Sequence, residues 1–548
     1  MPSKKQVFVL GMDGATFDII NPMLAEGKLP NIARLMESGA SGALHSTIPD
    51  LSPTAWTSFA SGKHPGKHGI LDFLGQNPAT YNIFFYNASY RTARPMWTIL
   101  SELGKKVCVL NVPFTYPPDE VNGVMVSGMD TPNTDSDFIY PPGLRRELDE
   151  KTGGYLLEPG FRDIKDKVGQ YCNSIFKITE NRFKAAEFLI QKDDWNLFVM
   201  VFEGTDRAQH NFWHYMDPEH PEYSEEFNKK YGRIIFDTYQ DIDAKIGELM
   251  KKVPEGALRL IMSDHGFGPL YKGVRLNKWL EHNGYSTFFR SQGGILKSRL
   301  AERTKRFVNK GLHKISQGKL SSGAPRLLAN FDMEKTRVYP VGGHGNFCIN
   351  LKGRQASGTV EPGAEYEDLR DELIEKLKTL KDPETGGAVV ADVVKREAVY
   401  PVFPENAPDL FILWNRGYYF IRENELDLFG IKADAGSLFT GHNWSGNHTP
   451  EGILIMQGDG IKKGYRITDA AIIDIAPTIM YLLDAAIPDD MDGKVLEEAI
   501  EESYVNSNRR RSTKVSGDGD KKDTSPEGYS KEEEEEIGDR LRALGYIE

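Results

Sequence analysis

The strongest constraint on this chain is an alternation: short apolar runs, each ending in a small or polar cluster, are separated by stretches with helical periodicity. The runs are Val7 to Leu10, Val107 to Val112, Leu197 to Phe202, Leu258 to Met262, Leu410 to Leu413 and Ile453 to Met456. A strand that is apolar on both faces must be covered on both faces, so such runs read as central strands. Between them, Leu29 to Ser38, Pro95 to Leu103, Asn181 to Gln191 and Tyr231 to Lys252 read as helices. This order predicts an α/β fold with a mostly parallel central sheet and helices on both faces. Ligands of such sheets collect beyond the carboxyl ends of the strands.

Composition excludes several function classes. The chain has 548 residues, 39% hydrophobic and 27% charged, which suits a large core and argues against disorder or a fibrous repeat. Its 67 basic and 79 acidic residues sum to −12, so no chain-wide surface for nucleic acid or anionic membrane is expected. No apolar run approaches the roughly 18 residues that span a bilayer. The stretch Val7 to Leu10 meets Asp13 too soon to be a signal-peptide core. Cys108, Cys172 and Cys348 are odd in number, far apart and without metal spacing, which predicts no disulfide framework and a cytoplasmic protein.

Two regions break the rhythm. From 290 to 326 there are ten Lys or Arg against one acid, Glu302, with Leu296, Leu300, Phe307 and Ile315 at roughly helical spacing. This reads as a basic helical insertion, with contact to an anionic surface as its functional alternative. The core is accordingly expected over 1–289 and 327–503. Residues 504–529, dominated from Asn506 by Ser, Gly, Asp, Lys and Arg, read as a flexible linker. The last segment, 530–548, reads as an amphipathic helix: Ser530 and Glu533 can form a capping box, Ile537, Leu541 and Leu544 share a face, and Gly545 can close it.

Residues able to do chemistry gather at the ends of the runs. Asp13 follows the first, in GMDG, where a turn acid is the simplest explanation. SDHGFGP puts Asp264 and His265 at the end of another, and both are good zinc or manganese ligands. After Phe202, a helix starting near Thr205 would set Asp206 and His210 four apart on one face, with His214 as a rival ligand. His448 lies in a loop directly before the Ile453 run. Taken together, the clusters would supply Asp13, Asp264 and His265 to one ion and Asp206, His210 and His448 to another, in a two-metal site of about 3.5 to 4 Å spacing. Ser52, preceding Pro53 in IPDLSPTAWTSFASG, is a nucleophile candidate at a helix N-terminus, where a metal could hold it as alkoxide, as well as a plain cap. Thr54 and Thr57 are rivals, and spacing alone does not choose among the three.

MDGATFD, LSPTAWTSFASGKHPGKHGI, the Asp206 and His210 pair, SDHGFGP and GNHTPEG occur in that order. The chain thereby resembles the alkaline phosphatase superfamily, and within it the type I phosphodiesterases and nucleotide pyrophosphatases, over roughly Val7 to Leu483. The resemblance implies Ser52 as nucleophile, where many relatives have Thr. It also implies Asp13, Asp264 and His265 as ligands of the metal beside it, and Asp206, His210 and His448 as ligands of the other. It implies two divalent ions, zinc or alternatively manganese, and a phosphoester substrate, foremost a diester. A phosphomonoesterase or phosphotransferase on the same scaffold is the alternative, as is a non-catalytic protein that binds phosphate or a lipid headgroup. One position departs from the pattern. Nucleotide pyrophosphatases carry an Asn shortly after the HGI segment that hydrogen-bonds a phosphoryl oxygen, and this chain has Phe73 after Asp72. A ring there removes a donor and predicts a more apolar entrance, away from nucleotide substrates. Thr54 and Trp56 stand where sulfatases need Pro and Arg, which disfavours a sulfatase. A mutase is disfavoured because no second domain is evident from Gly69 to Asp206.

Overall fold

A computed structural model describes residues 5–157, 167–289, 328, 330–421, 437–514 and 526–544. The basic segment expected over 290–326 lies outside the described residues.

A nine-stranded sheet organises the molecule. Across it the strands run Tyr465–Ala471, Ala40–His45, Glu451–Gln457, Leu258–Met262, Val7–Met12, Leu197–Phe202, Val107–Val112, Gly123–Ser127 and Ile139–Tyr140. The five from Leu258–Met262 to Gly123–Ser127 are mutually parallel. Alternation along Val7–Met12 explains the two-sided burial. Val7 and Val9 pack on one face with Trp56, Phe59 and Trp97, while Phe8, Leu10 and Met12 pack on the other with Ile20, Ile32 and Tyr239. Helices cover both faces, as the apolar runs require.

Two of the expected central strands differ in setting. Ile453 to Met456 is central but antiparallel to both of its neighbours. Leu410–Trp414 is not in this sheet. It belongs to a four-stranded antiparallel sheet with Val338–Val341, Asn346–Ile349 and Val390–Lys395, which has its own core beneath the helix Ala364–Lys378. An apolar run reports burial on both faces, not the sheet that buries it. Within the span 504–529 expected as a linker, residues 515–525 lie outside the described residues, and the rest includes regular structure. Glu502–Ser507 is helical, and Ser512–Thr513 pairs with Ile487–Pro488 through backbone hydrogen bonds that a polar composition conceals.

Among the described residues no helix is long and apolar enough to cross a membrane. The three cysteines are buried and free.

Candidate active site

Three parallel strands end side by side, and their next residues are cross-tied. The Asp13 N–H donates to Phe202 O at 2.9 Å, so the turn after the first strand is pinned to its neighbour. The Thr205 hydroxyl donates to Asp13 O at 2.5 Å, and the Gly14 N–H donates to Asp264 Oδ1 at 3.2 Å. Gly14 has φ +66°, and a Cβ there would lie 2.9 Å from the Phe267 ring, so both backbone and space favour glycine. Gly11 admits the Trp56 indole against the strand, since a Cβ would lie 2.6 Å from its ring. That approach lets Trp56 Nε1 donate to Asp13 Oδ2 at 3.0 Å.

Two groups of side chains converge beyond these ends. The ligating atoms of Asp13, Asp264 and His265 lie within 4.8 Å of one another, and so do those of Asp206, His210 and His448. All six side chains are buried. The groups adjoin, for the His265 and His448 rings stack at 3.6 Å. Asp206 and His210 occupy the first turns of the helix Gly204–Met216, and His210 Nε2 is 3.3 Å from Asp206 Oδ1.

The histidines share one orientation. His210 Nδ1 faces Gly446 O at 3.0 Å, His448 Nδ1 faces Asp50 O at 2.9 Å, and His265 Nδ1 faces Gly266 O at 3.0 Å. A carbonyl accepts only, so each Nδ1 carries the proton and each Nε2 turns its lone pair into the site. His210 Nε2 and His448 Nε2 then face each other at 3.0 Å. A proton or a metal ion between them relieves the repulsion of two lone pairs that close. Buried Asp13 Oδ1 and Asp264 Oδ2 accept no hydrogen bond, which leaves both open to the same kind of ligand.

Electrostatics point the same way. Burial, then the neighbouring Asp264 and Asp206 carboxylates, hold the Asp13 carboxyl well above its ordinary range. Burial pushes Asp264 up to about 7. Burial lowers His210 and His265, whereas in His448 burial is outweighed by the hydrogen bond and charge of Asp206 and the pKa is raised. A cluster of buried carboxylates and imidazoles offers the oxygen and nitrogen donors that suit divalent ions of mixed preference.

Ser52 opens the helix Ser52–Ser61, whose cap is Leu51, so its hydroxyl is not a helix cap. Its Oγ lies 3.4 Å from His265 Nε2, facing the first group. Of the rivals, Thr57 turns its hydroxyl back to Pro53 O at 2.6 Å. Thr54 is fully buried, and its hydroxyl oxygen has no hydrogen-bond partner.

The family model described as type I phosphodiesterase / nucleotide pyrophosphatase matches residues 7–449. The chain belongs to this family. As a member of it, the protein is a phosphoester hydrolase. Among solved structures, phosphonoacetate hydrolase from Sinorhizobium meliloti 1021, in complex with phosphonoformate, is 14% identical with a TM-score of 0.50, over 88% of this chain and 96% of that one. The likeness is one of fold. Human ectonucleotide pyrophosphatase / phosphodiesterase 5 is 14% identical with a TM-score of 0.49, over 90% of this chain and 100% of its own. No curated protein matches the chain.

Several expectations about this phosphodiesterase-family site change. His448 is not in a loop. It lies on the strand Gly446–Thr449, paired antiparallel with Gly266–Val274 so that His448 stands opposite Phe267, and this pairing carries it to His265. His214 stays out of both groups, with its ring against Tyr215 at 3.8 Å. Phe73 does not line an entrance. It is buried with its ring edge-on to Phe114 at 5.5 Å, in a cluster that includes Ile537, Leu541 and Leu544 of the C-terminal helix. Sequence reasoning missed Trp56, which donates to Asp13 Oδ2, and Trp444, whose indole lies on the His210 ring with centroids 3.8 Å apart. Their spacing is the available signal: Trp56 lies four residues after Ser52, and Trp444 lies four before His448.

Proposed function

We propose that the chain hydrolyses a phosphodiester at Ser52, with Asp13, Asp264 and His265 holding one divalent ion and Asp206, His210 and His448 a second, zinc or manganese. The observation that carries this reading is the convergence of two buried three-ligand groups beside one hydroxyl, with Ser52 Oγ 3.4 Å from His265 Nε2. Bound divalent ions at such a site lower the pKa of an adjacent hydroxyl and neutralise charge gathering on phosphoryl oxygens.

The chain's own residues do the rest. Ser52 stands at a helix N-terminus, where the dipole favours its oxyanion form. Trp56 fixes one Asp13 oxygen and leaves the other directed into the site. The Ser52 Oγ–P bond forms as the bond from phosphorus to one ester oxygen breaks, and the hydroxyl proton passes through solvent to the departing alcohol. Water then adds to phosphorus and Ser52 leaves with a proton, so diester and water yield monoester and alcohol. Three buried free thiols support a reducing, cytoplasmic setting.

The experiment is elemental analysis of the purified protein, followed by a panel of diesters and monoesters and acid-quench mass spectrometry for phosphate on the Ser52 peptide. Two ions per chain, diester turnover and the phosphorylated peptide are expected. A protein that holds no ion yet turns over at full rate overturns the reading.

A further inference from the structure

We infer that the C-terminal helix Lys531–Leu544 is a positioning element for the group Asp206, His210 and His448, acting through Trp444. The inference rests on the two-metal reading above.

The helix is fastened to the core along its length. Ser530 and Glu533 close a reciprocal pair of hydrogen bonds at its start, and Tyr116 donates its hydroxyl to Glu533 Oε1 at 2.7 Å. Tyr529 stacks parallel on Tyr116 at 5.9 Å and donates to Asp130 O at 2.8 Å. Arg540 reaches the carbonyls of Thr131 and Pro132. Ile537, Leu541 and Leu544 are 2%, 3% and 5% exposed, packed into a cluster with Phe73, Phe114, Met129 and Trp444.

The last turn then meets the site. Trp444 Nε1 donates to Leu544 O at 3.1 Å, and the same indole lies on the His210 ring with centroids 3.8 Å apart. The residues that follow grip His210 further: the Ser445 N–H donates to His210 O at 2.7 Å, and Gly446 O receives His210 Nδ1. On the other flank, Leu544 lines a small cavity with Gly204 and Arg207, next to Asp206. The Asp13, Asp264 and His265 group is held instead by strand ends and Trp56. A ligand imidazole keeps its aim through what packs on it and what bonds its other nitrogen. Undocking the helix releases the indole that packs on His210, and the loss falls on one group alone.

Full-length Leu541→Asp, Trp444→Leu and Trp444→Phe test this. Each is equilibrated against graded free zinc and manganese, and bound ions per chain are read by elemental analysis, with circular dichroism to establish the fold. The parent binds two ions. Leu541→Asp and Trp444→Leu keep one at parental affinity and bind the other about 10- to 100-fold more weakly. Trp444→Phe, which keeps a ring on His210 but loses the N–H, falls between. Should Leu541→Asp fail to fold, the two Trp444 variants decide. Folded variants that bind both ions as the parent does, or lose both in parallel, overturn the inference. A parent that binds fewer than two ions defeats the two-metal reading instead.

Discussion

Replacing Ser52 by alanine removes one oxygen from a helix that is buried along its whole length. The structure makes the stability cost small. The hydroxyl does not cap the helix, and its contact with His265 Nε2 is 3.4 Å, beyond the usual span of a strong bond. Losing it should cost no more than about 1 kcal/mol. The effect on turnover is of another order, since removal of a nucleophile leaves only the catalysis supplied by binding and electrostatics. A fall of about 10⁴- to 10⁶-fold, equivalent to about 5 to 8 kcal/mol of activation free energy, is expected. The assay is steady-state hydrolysis of bis-p-nitrophenyl phosphate, with bound metal and thermal unfolding measured on the same preparation. Two companions sharpen it. Thr57→Val gives up the bond to Pro53 O, and Thr54→Val gives up a hydroxyl oxygen without a partner, so both should retain the parental rate. Ser52→Ala turning over within tenfold of the parent, with both ions bound, would refute the nucleophile assignment. Loss of metal in step with activity would place Ser52 among the ligands rather than at the phosphorus.

Gly14→Ala places a Cβ 2.9 Å from the Phe267 ring at φ +66° and disturbs the N–H donated to Asp264; about 1 to 3 kcal/mol of stability and most metal affinity should go, read by denaturant titration and elemental analysis. His68 accepts the Ile70 N–H at Nδ1 and faces the Ser58 hydroxyl with Nε2 at 2.9 Å, and burial pushes its pKa down to about 3. The unfolded chain therefore takes up a proton near pH 6.5 that the native state refuses, so this contribution is complete above that pH and is lost as pH falls toward 3. Over that window it amounts to about 4 to 5 kcal/mol, and denaturant midpoints of His68→Gln should fall less steeply with acid than those of the parent. Phe73→Asn restores the residue of the nucleotide pyrophosphatases but buries an amide in an apolar cluster. It should cost about 3 to 5 kcal/mol and bring no gain on nucleotide esters in a thermal-shift and turnover comparison.

How much of this was legible follows from what each residue is buried against. Val107–Val112, Leu197–Phe202 and Leu258–Met262 stand at the ends their sequences suggest, because a strand covered on both faces writes its limits in unbroken apolar letters. Gly446–Thr449 writes none. Its residues GNHT include no large aliphatic side chain, and its partners Gly266 to Pro269 are remote in sequence, so His448 could be named but not placed on a strand. Leu410–Trp414 has the composition of a central strand and sits in another sheet, since hydrophobicity carries no address.

The C-terminal helix shows the same limit from the other side. Its start and its apolar face are local properties, legible in Ser530, Glu533, Ile537, Leu541 and Leu544, whereas the surface it covers is not. Phe73 supplies the missing half. Taken alone, a ring where relatives keep an amide reads as a change of substrate. In the folded chain the same ring shares one buried apolar cluster with Leu541. Phe73 and the helix Lys531–Leu544 are therefore parts of one packed cluster. If they are, a change at either should be felt at the other, and pairing Phe73→Ala with Leu541→Ala in a double-mutant cycle should return a coupling of about 0.5 to 3 kcal/mol rather than simple additivity.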